Sequence, residues 1–324
     1  MEKLLIQYYN IKPDQKIRKY DDYFFVDEKS IYSVMPFHEE NTSYHEQSLL
    51  IEACIYHGYD YFLRIIPNHF GELVTEYDGE KFMVSHGKLR IRKTDQGPGV
   101  TLAKFHQSNY SYPYEPQNMS SYGHWRTLWI QNLSFFEKEF TKEKPAFTGE
   151  FYRKGRDILP YIIGLSENAL QYLQENEDER GFTDYDRGTI TFHRYQGQIE
   201  ESFIPFGELI YDHPIRDLSE YIRKALINKE DGVDHSLRFL IEYNRYLPIS
   251  LYGWKLLYAR LLFPIHFFDL FGQEMTEGKD YSLHLENLIE KQCNYEQGFV
   301  QLFAEIERNY QPLSMHMIQW LYNS

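Results

Sequence analysis

The sequence predicts an α+β protein, with a small antiparallel sheet near its N-terminus and a mainly helical remainder. Strand-like runs of aromatic and β-branched residues are concentrated before residue 95, where the turn Asp78-Gly79-Glu80 indicates a hairpin. After the break at Gly97-Pro98-Gly99, segments with apolar residues at helical spacing dominate. With 324 residues, the chain is long enough for two lobes that each have a core.

The N-terminal elements follow one another at short intervals. Residues 1–22 predict a short helix and a polar link, because apolar residues recur at helical spacing only in the first part. Tyr23–Val26 and Ile31–Met35 predict a hairpin, since the residues between them form a polar turn cluster. The remaining elements are a helix, capped by Thr42 or Ser43, and three strands, predicted at 42–57, 62–66, 73–77 and 81–85.

The C-terminal elements are predominantly helical. A helix is predicted to begin at Val100, and residues 107–121 are rich in Tyr, Ser, Pro and Asn and predict a loop. Two strand-like runs near 188–194 and 205–211 predict a small hairpin among the helices. The other predicted helices cover residues 123–140, 146–157, 158–179, 215–229, 234–246, 248–262 and 280–310.

The composition is that of an acidic, tyrosine-rich chain, with 48 Asp and Glu against 34 Lys and Arg, a net charge of −14 and 29 Tyr. Such a chain argues against nucleic acid as a partner, because phosphate binding needs a basic face. No run of about 18 apolar residues occurs, so a membrane span is not expected either. The first residues lack the apolar core of a secretory signal, which favours synthesis in the cytosol.

Two segments carry the most specific residue patterns. In the first, His106 closes the pattern Leu-Ala-x-x-His on a predicted helix, and we expect it to be a packed, hydrogen-bonded core residue. In the second, a predicted strand runs up to Asp212, Pro214 stops the extended segment, and a helix opens near Asp217. A carboxylate in the first turn of a helix faces free backbone N–H groups, so Asp217 is expected to be structural.

These segments resemble the aminoglycoside and choline phosphotransferases, a protein-kinase-like superfamily, and most of all its spore-coat-associated CotS/YutH branch. The YutH pattern Tyr-Asp-His-Pro-x-Arg-Asp-Leu is present from Tyr211 to Leu218. The resemblance implies a two-lobed kinase-like fold, with an N-terminal lobe over residues 1–95, a helical C-terminal lobe over 96–324, and the small hairpin at the cleft. It also implies synthesis in the mother-cell cytoplasm and assembly into the spore coat.

The catalytic loop that this resemblance implies is degenerate. Family members carry His-Gly-Asp-x-x-x-x-Asn after a short strand, where the Asp accepts or orients the substrate hydroxyl and the Asn holds magnesium. His193 matches the His, Arg194 replaces the Gly and Tyr195 replaces the Asp, while Glu200 stands in place of the Asn. A tyrosine is a poor general base at neutral pH, because its ordinary pKa is about 10.

Asp212 has two interpretations under the same resemblance. Its distance from His193 matches the layout of loop, strand and strand that ends in the family's metal-binding Asp. Alternatively, Asp212 belongs to the Asp-Pro-x-x-Asp-Leu stretch that the family carries further on, and the metal-binding Asp is missing. With Asp212 as the metal ligand, Asp217 is the structural Asp at the helix start.

Two further parts of a nucleotide site are missing. Kinases place a Gly-rich loop over the phosphates and a Lys on the third strand. The hairpin from Tyr23 to Met35 contains no Gly, and the strand Ile31–Met35 contains no Lys. The helix over 42–57 offers Glu46 and Glu52 as partners for that Lys, and without it we expect such a carboxylate to be solvated.

The sequence therefore favours a pseudokinase that acts in spore coat assembly or structure through contacts with other coat proteins. One alternative is an active small-molecule phosphotransferase that uses ATP and a divalent metal. Asp212 and Glu200 would then hold the metal, with Asp184 or Asp186 as a further ligand, although the stretch Asp184–Asp186 is expected to be a solvated loop.

A second alternative is a non-catalytic ligand sensor. In that case a metabolite would bind in a cleft lined by His193, Tyr195 and Asp212, without turnover. A ligand of this kind would raise the midpoint of thermal unfolding, because it binds only the folded state.

Overall fold

A computed structural model describes residues 1–19, 22–28, 30–39, 43–90, 96–142, 149–176 and 182–309. The chain divides into two compact units. Unit 1 comprises Met1–Ser121 and Gly188–Asp212, and unit 2 comprises Tyr122–Arg187 and His213–Ser324. The units are defined by compactness, so the lobe boundary predicted at residue 95 stays a prediction.

In its described residues, unit 1 contains a six-stranded antiparallel sheet, a separate two-stranded hairpin and three α-helices. In the sheet the strands follow the order β1-β2-β3-β6-β4, and β5 pairs with the first part of β6. The strands are β1 Gln15–Lys19, β2 Asp22–Asp27, β3 Ser30–Pro36, β4 Arg64–Ile66, β5 Thr75–Tyr77, β6 Glu80–Lys88, β7 Thr189–Phe192 and β8 Leu209–Asp212. The helices are α1 Glu2–Tyr9, α2 Tyr44–Tyr56 and α3 Pro98–Asn109.

Successive side chains of a strand point to opposite faces of a sheet, and both faces of the large sheet are covered by apolar side chains. On one face, Phe25 and its cross-strand partner Tyr32 pack with Leu5 of α1. On the other face, Phe24 packs with the Phe203 ring, whose centroid lies 4.8 Å away. The predicted hairpin over residues 23–35 is confirmed as β2 and β3.

Unit 2 is helical in its described part. The helices are α4 Trp125–Thr141, α5 Gly149–Glu175, α6 Ile215–Asn228, α7 Gly232–Tyr246, α8 Leu251–Leu262, α9 Ile265–Glu277 and α10 Ser282–Asn309. Within this set, α5 contacts α4, α8 and α10, and α6 contacts α7, α8 and α10. Aromatic side chains fill the interior, as in the stack of Trp129 on Phe263, whose ring centroids are 4.4 Å apart.

Three predicted elements are corrected by the structure. The two helices expected over 146–157 and 158–179 form the single helix α5, which continues through Pro160 because neighbouring helices pack along it. The polar segment Gln15–Lys19 is strand β1, held by backbone pairing with β2 and by the packing of one apolar side chain, Ile17. Helix α9 was not predicted, since its dense apolar residues obscure helical periodicity.

Among the described residues, no helix is long and apolar enough to cross a membrane. The architecture of an N-terminal antiparallel sheet followed by a mainly helical remainder is the α+β class that the sequence predicts.

Candidate functional site

The hairpin β7–β8 positions the loop in which the family places its catalytic residues. Its register pairs Thr189 with Asp212 at one end and Phe192 with Leu209 at the other. All four residues of β7 are buried, because β7 also packs against α3 in unit 1. The loop 193–208 therefore starts from a rigid strand.

Tyr195, in the place of the catalytic Asp, is a core residue. Its side chain has no solvent-exposed surface, and its ring centroid lies 5.3 Å from that of Phe192. Phe192 in turn lies 5.4 Å from Phe105 and 6.2 Å from Phe62. An aromatic cluster of unit 1 thus encloses the residue that the resemblance aligns with the general base of a kinase.

His193 and Arg194 act locally within the loop. The backbone N–H of His193 donates to the Glu208 carbonyl at 2.9 Å, which extends the hairpin ladder by one bond. The Arg194 guanidinium donates to the carbonyl of His193 at 2.8 Å. Both side chains are half-buried, and these contacts hold the shape of the loop.

Glu200 and Asp212 are tied to different parts of unit 1. Glu200 ends a 3₁₀ helix that begins at Gln198, and the adjacent Ile199 carbonyl accepts hydrogen bonds from Tyr61 and Arg90. Asp212 is fully buried at the end of β8, opposite Thr189. In the described part of the chain, no three His, Cys, Asp or Glu side chains form a group that could hold a metal ion.

The Glu46 carboxylate on α2 binds a backbone segment, which corrects the expectation that it is solvated. It accepts hydrogen bonds from the backbone N–H groups of Gln117, Asn118 and Met119 at 3.0, 2.8 and 2.9 Å. The Asn118 amide adds a fourth contact at 3.3 Å. Three converging backbone donors form an anion-binding concavity, and Glu46 fills it from within the chain.

The next residue fastens α2 to the hairpin. The Gln47 amide, which is buried, pairs with both backbone groups of Leu209, donating to its carbonyl at 2.9 Å and accepting from its N–H at 3.0 Å. Glu52, by contrast, is exposed and lies 3.6 Å from Arg64, as a solvated carboxylate would. Helix α2 is therefore fixed by two adjacent polar residues.

In unit 2 the described contacts converge on Asp186. Its carboxylate accepts from the Thr183 N–H at 2.6 Å, the Thr183 hydroxyl at 3.0 Å, the Ser250 hydroxyl at 2.5 Å and His213 Nε2 at 3.1 Å. The residue is 1 % exposed, so the expectation of a solvated loop is wrong at this residue. Asp184, two residues earlier, is exposed as expected.

His213 is the neutral Nε2–H tautomer. The backbone N–H of Ile215 donates to its Nδ1 at 3.1 Å, so Nδ1 carries no proton and Nε2 donates to Asp186. Burial alone would raise the pKa of the Asp186 carboxyl, but hydrogen bonds from His213, Ser250 and Thr183 outweigh burial and lower that pKa. The carboxylate stays ionised inside the fold.

The order of these three side chains excludes a hydrolytic triad. In a triad the His lies between the Asp and the Ser and takes the hydroxyl proton. Here Asp186 lies in the middle, and the Ser250 hydroxyl donates to it while accepting from the Gly253 N–H at 2.8 Å. Ser250 is thus the N-cap of α8, and Asp186 fastens that cap to the turn at Thr183.

The remaining predicted residues occupy buried helical positions. His106 lies on α3, and its carbonyl accepts from the Thr189 hydroxyl at 3.4 Å. Asp217 is in the first turn of α6 and has no exposed side-chain surface. The roles of Glu46 and Asp186 were not predicted from the sequence. For Asp186 a signal was available, because the spacing of Thr183 and Asp186 is that of a capping box.

A family model matches most of the chain. The family described as "Spore coat putative kinase YutH" matches residues 2–303. The endospore coat-associated protein YutH of Bacillus subtilis (strain 168) is 30% identical over 260 residues, which cover 78% of this chain and 77% of that protein.

Solved structures of phosphotransferases share the fold. An aminoglycoside phosphotransferase from Alicyclobacillus acidocaldarius superposes with a TM-score of 0.61 at 12% identity, covering 95% of this chain and 97% of that one. Spectinomycin phosphotransferase APH(9)-Ia, in complex with ADP and spectinomycin, gives 0.57 at 12% identity over 96% and 94%. At these identities the likeness establishes the kinase-like fold.

Proposed function

The chain belongs to the spore coat YutH family, and we propose that it is a pseudokinase that serves the spore coat as an assembly or structural protein. The kinase-like fold supplies the scaffold, and contacts with other coat proteins supply the function. The name of the Bacillus subtilis relative supports the coat setting. Synthesis in the mother-cell cytoplasm, followed by recruitment to the coat, belongs to the same proposal.

The observation that carries the pseudokinase proposal is the complete burial of Tyr195. A general base must reach the proton of the acceptor hydroxyl within hydrogen-bonding distance. Tyr195 instead packs on Phe192, in a cluster that also contains Phe62 and Phe105. Tyr195 therefore contributes to the packing of the core, whereas an Asp at this position would act as a general base.

The residues around this position do not fit a magnesium–nucleotide complex. Strand β3 has no Lys to bind the phosphates, and residues 1–35 contain no Gly for a flexible loop above them. Glu46, on the helix that follows β3, is committed to the backbone at 117–119. Since phosphoryl transfer depends on charge positioned around the phosphates, we derive no transfer step for this chain.

An active phosphotransferase is the second candidate, and the position of Asp212 at the end of β8 favours it. The family resemblance places its metal-binding Asp after the second strand of this hairpin. Calorimetric titration of the full chain with ATP and excess magnesium separates the two candidates. Spectinomycin phosphotransferase, whose structure contains ADP, is the positive control.

The matched variant for this titration is Asp212→Asn, which keeps the size of a fully buried side chain. The pseudokinase proposal expects no binding heat from either form of the protein. Binding by the wild type that disappears in Asp212→Asn would contradict the proposal and direct attention to an acceptor substrate. Far-UV circular dichroism of both forms checks that the protein is folded, so that an absence of binding heat is not caused by unfolding.

The coat role has its own test in sporulating cells. The full chain with a fluorescent tag is produced in a spore-forming bacterium that lacks its own copy. We expect fluorescence to move from the mother-cell cytoplasm to the spore surface, both for the wild type and for Asp212→Asn. Fluorescence that stays dispersed in the mother cell would overturn the coat role without bearing on the chemistry.

A further inference from the structure

The loop between β4 and β5, residues 67–74, exposes two large apolar side chains. Phe70 is 67 % exposed and Leu73 is 53 % exposed. A single exposed apolar residue is ordinary on a protein surface. Here two of them share one short loop, with only Gly71 and Glu72 between them. The loop therefore offers a small apolar surface to solvent.

A buried side chain, Asn68, holds this loop in one shape. Asn68 is 4 % exposed, and its carbonyl oxygen accepts from the backbone N–H groups of Phe70 and Glu72, both at 3.0 Å. Its amide nitrogen donates to the Thr75 hydroxyl at 3.1 Å and to the Glu72 carboxylate at 3.3 Å. Backbone bonds from Asn68 to Glu72 and from Gly71 to Asn68, at 2.8 and 2.9 Å, close the loop on itself.

The loop is also fastened to the last turn of α1. The Tyr8 carbonyl accepts from the backbone N–H of His69 at 2.8 Å and from its ring Nδ1 at 2.7 Å. The Tyr9 hydroxyl lies 2.9 Å from the Thr75 hydroxyl, at the start of β5. The Phe70 ring packs on His69, with centroids 3.9 Å apart. A partner would therefore meet a loop that is already ordered, which lowers the entropic cost of binding.

The size of the exposed surface indicates how it could be covered. The exposed parts of Phe70 and Leu73 amount to about 250 Å², since a whole aromatic side chain buries about 150–250 Å². A stable interface takes about 800 Å² from each partner. Two copies of this loop packed on each other would fall short of that area. Insertion into a groove, which encloses both side chains, is the arrangement typical of interface hot spots.

The charge of the loop favours a protein over a membrane as the partner. Residues 67–74 contain no Lys or Arg, and the exposed Glu72 stands between the two apolar side chains. Anionic lipid surfaces attract basic segments, so a carboxylate at this position opposes binding to them. A groove with a cation at its rim would instead complement Glu72.

We propose that the loop 67–74 docks into an apolar groove with a cationic rim on another coat protein. Phe70 and Leu73 are the apolar anchors, and Glu72 pairs with the cation. The inference rests on the proposed coat role and names the surface that performs it. It is independent of the loop that contains Tyr195.

The test follows the tagged full chain in sporulating cells, with Phe70→Ser as the main variant. We expect at least about tenfold less fluorescence at the spore surface than for the wild type, because truncating a central aromatic anchor removes most of the binding energy. The matched control is Tyr56→Ser, which removes an 87 % exposed aromatic side chain of unit 1 outside the loop. Thermal unfolding of the purified variants should match the wild type, since both side chains are exposed.

The outcomes separate this inference from the coat role itself. A wild type that stays dispersed in the mother cell would remove the coat role, and the coat partner with it. A wild type and a Phe70→Ser variant that reach the spore surface equally would overturn the loop proposal and leave the coat role standing. Equal losses for Phe70→Ser and Tyr56→Ser would also contradict it, because the loop would then have no special part.

Glu72→Gln tests the cationic rim. The new side chain keeps an oxygen that can accept from Asn68 but removes the charge. We expect several-fold less fluorescence at the spore surface than for the wild type. Recruitment equal to that of the wild type would contradict a charged partner at this position.

A second measurement on purified protein separates the possible partners of the loop. The wild type and Phe70→Ser are compared by co-sedimentation with vesicles of neutral or anionic phospholipid, and by sedimentation velocity without lipid. We expect neither form to bind vesicles and both to sediment alike. Vesicle binding that Phe70→Ser abolishes would assign the loop to a membrane. Self-association that Phe70→Ser abolishes would assign it to a second copy of the chain, and either result would overturn the proposal.

Discussion

The loop after β7 in unit 1 and the turn around Asp186 in unit 2 differ in the kind of side chain that they bury. In unit 1, Tyr195 stands where the family resemblance expects a carboxylate, and an aromatic cluster encloses it. In unit 2, Asp186 is an ionised carboxylate that is almost fully buried, and hydrogen bonds satisfy it. Position 195 carries an uncharged ring, and position 186 carries a charge that has a structural role.

This contrast shows that a buried carboxylate alone does not identify an active site. Burying an unpaired charge is costly, so such a group persists only where donors surround it. Asp186 meets that condition with donors from Thr183, Ser250 and His213. At position 195 the buried side chain is an aromatic ring. Packing stabilises this ring, so it does not need the hydrogen-bond donors that a buried carboxylate requires.

The largest expected effect is that of Tyr195→Asp. Loss of a buried aromatic ring costs about 3–5 kcal/mol, and the new carboxylate would add a desolvation cost. We therefore expect the free energy of unfolding, measured with urea, to fall by at least about 4 kcal/mol. Tyr195→Phe keeps the ring against Phe192 and is the control. Wild-type stability of the Asp variant would show that position 195 reaches water and would break the comparison.

The next largest effect is expected for Asp186→Ala. The substitution removes the common acceptor of His213, Ser250 and the Thr183 turn, so we expect a loss of about 3 kcal/mol in urea unfolding. Asp184→Ala, in the same turn but exposed, should change stability by less than about 0.5 kcal/mol. Equal effects of the two substitutions would mean that the buried hydrogen bonds contribute nothing.

A smaller effect is expected for Glu46→Ala in unit 1. Three backbone N–H groups lose their carboxylate acceptor, but they lie near the surface, where water replaces part of the lost hydrogen bonding. The free energy of unfolding should therefore fall by about 1–2 kcal/mol. Hydrogen exchange of the amides at 117–119 should accelerate. Glu52→Ala removes an exposed ion pair with Arg64 and should leave those amides protected. Unchanged exchange in Glu46→Ala would show that the segment is ordered without α2.

The last expected effect depends on pH and is that of Glu296→Gln on α10. Burial raises the pKa of the Glu296 carboxyl to about 7, above its value of about 4.3 in unfolded chains. The folded protein therefore holds a proton that the unfolded chain releases, and stability falls as pH rises from about 4 to 7. The Gln variant should be the more stable protein at pH 8 and close to wild type at pH 4. A stability difference independent of pH would contradict the raised pKa.

Sequence reasoning was strongest for elements that local residues specify. The hairpin of β2 and β3 follows from two runs of aromatic and β-branched residues around a polar turn, and helix α2 follows from its apolar spacing. It failed for β1, because that strand has few apolar residues and is held by pairing with β2. It also divided α5 between residues 157 and 158, since the packing that holds this long helix together comes from distant segments.

The site shows the same limit at the level of single side chains. The substitutions at Arg194 and Tyr195 are visible in the sequence as soon as the family resemblance is stated. The partners of Glu46 are not, because they lie more than 70 residues further along the chain. No local pattern indicates that a carboxylate on α2 meets three backbone N–H groups, since chain folding alone brings them together.

By itself, the sequence determined the family and the α+β class, because those depend on residue identity and spacing. Tertiary structure decided that Tyr195 is enclosed, that Asp186 is buried and ionised, and that Glu46 holds a backbone segment. Burial and hydrogen bonding are properties of neighbours in space. Those neighbours come from segments far apart in the chain, so they exist only once it has folded.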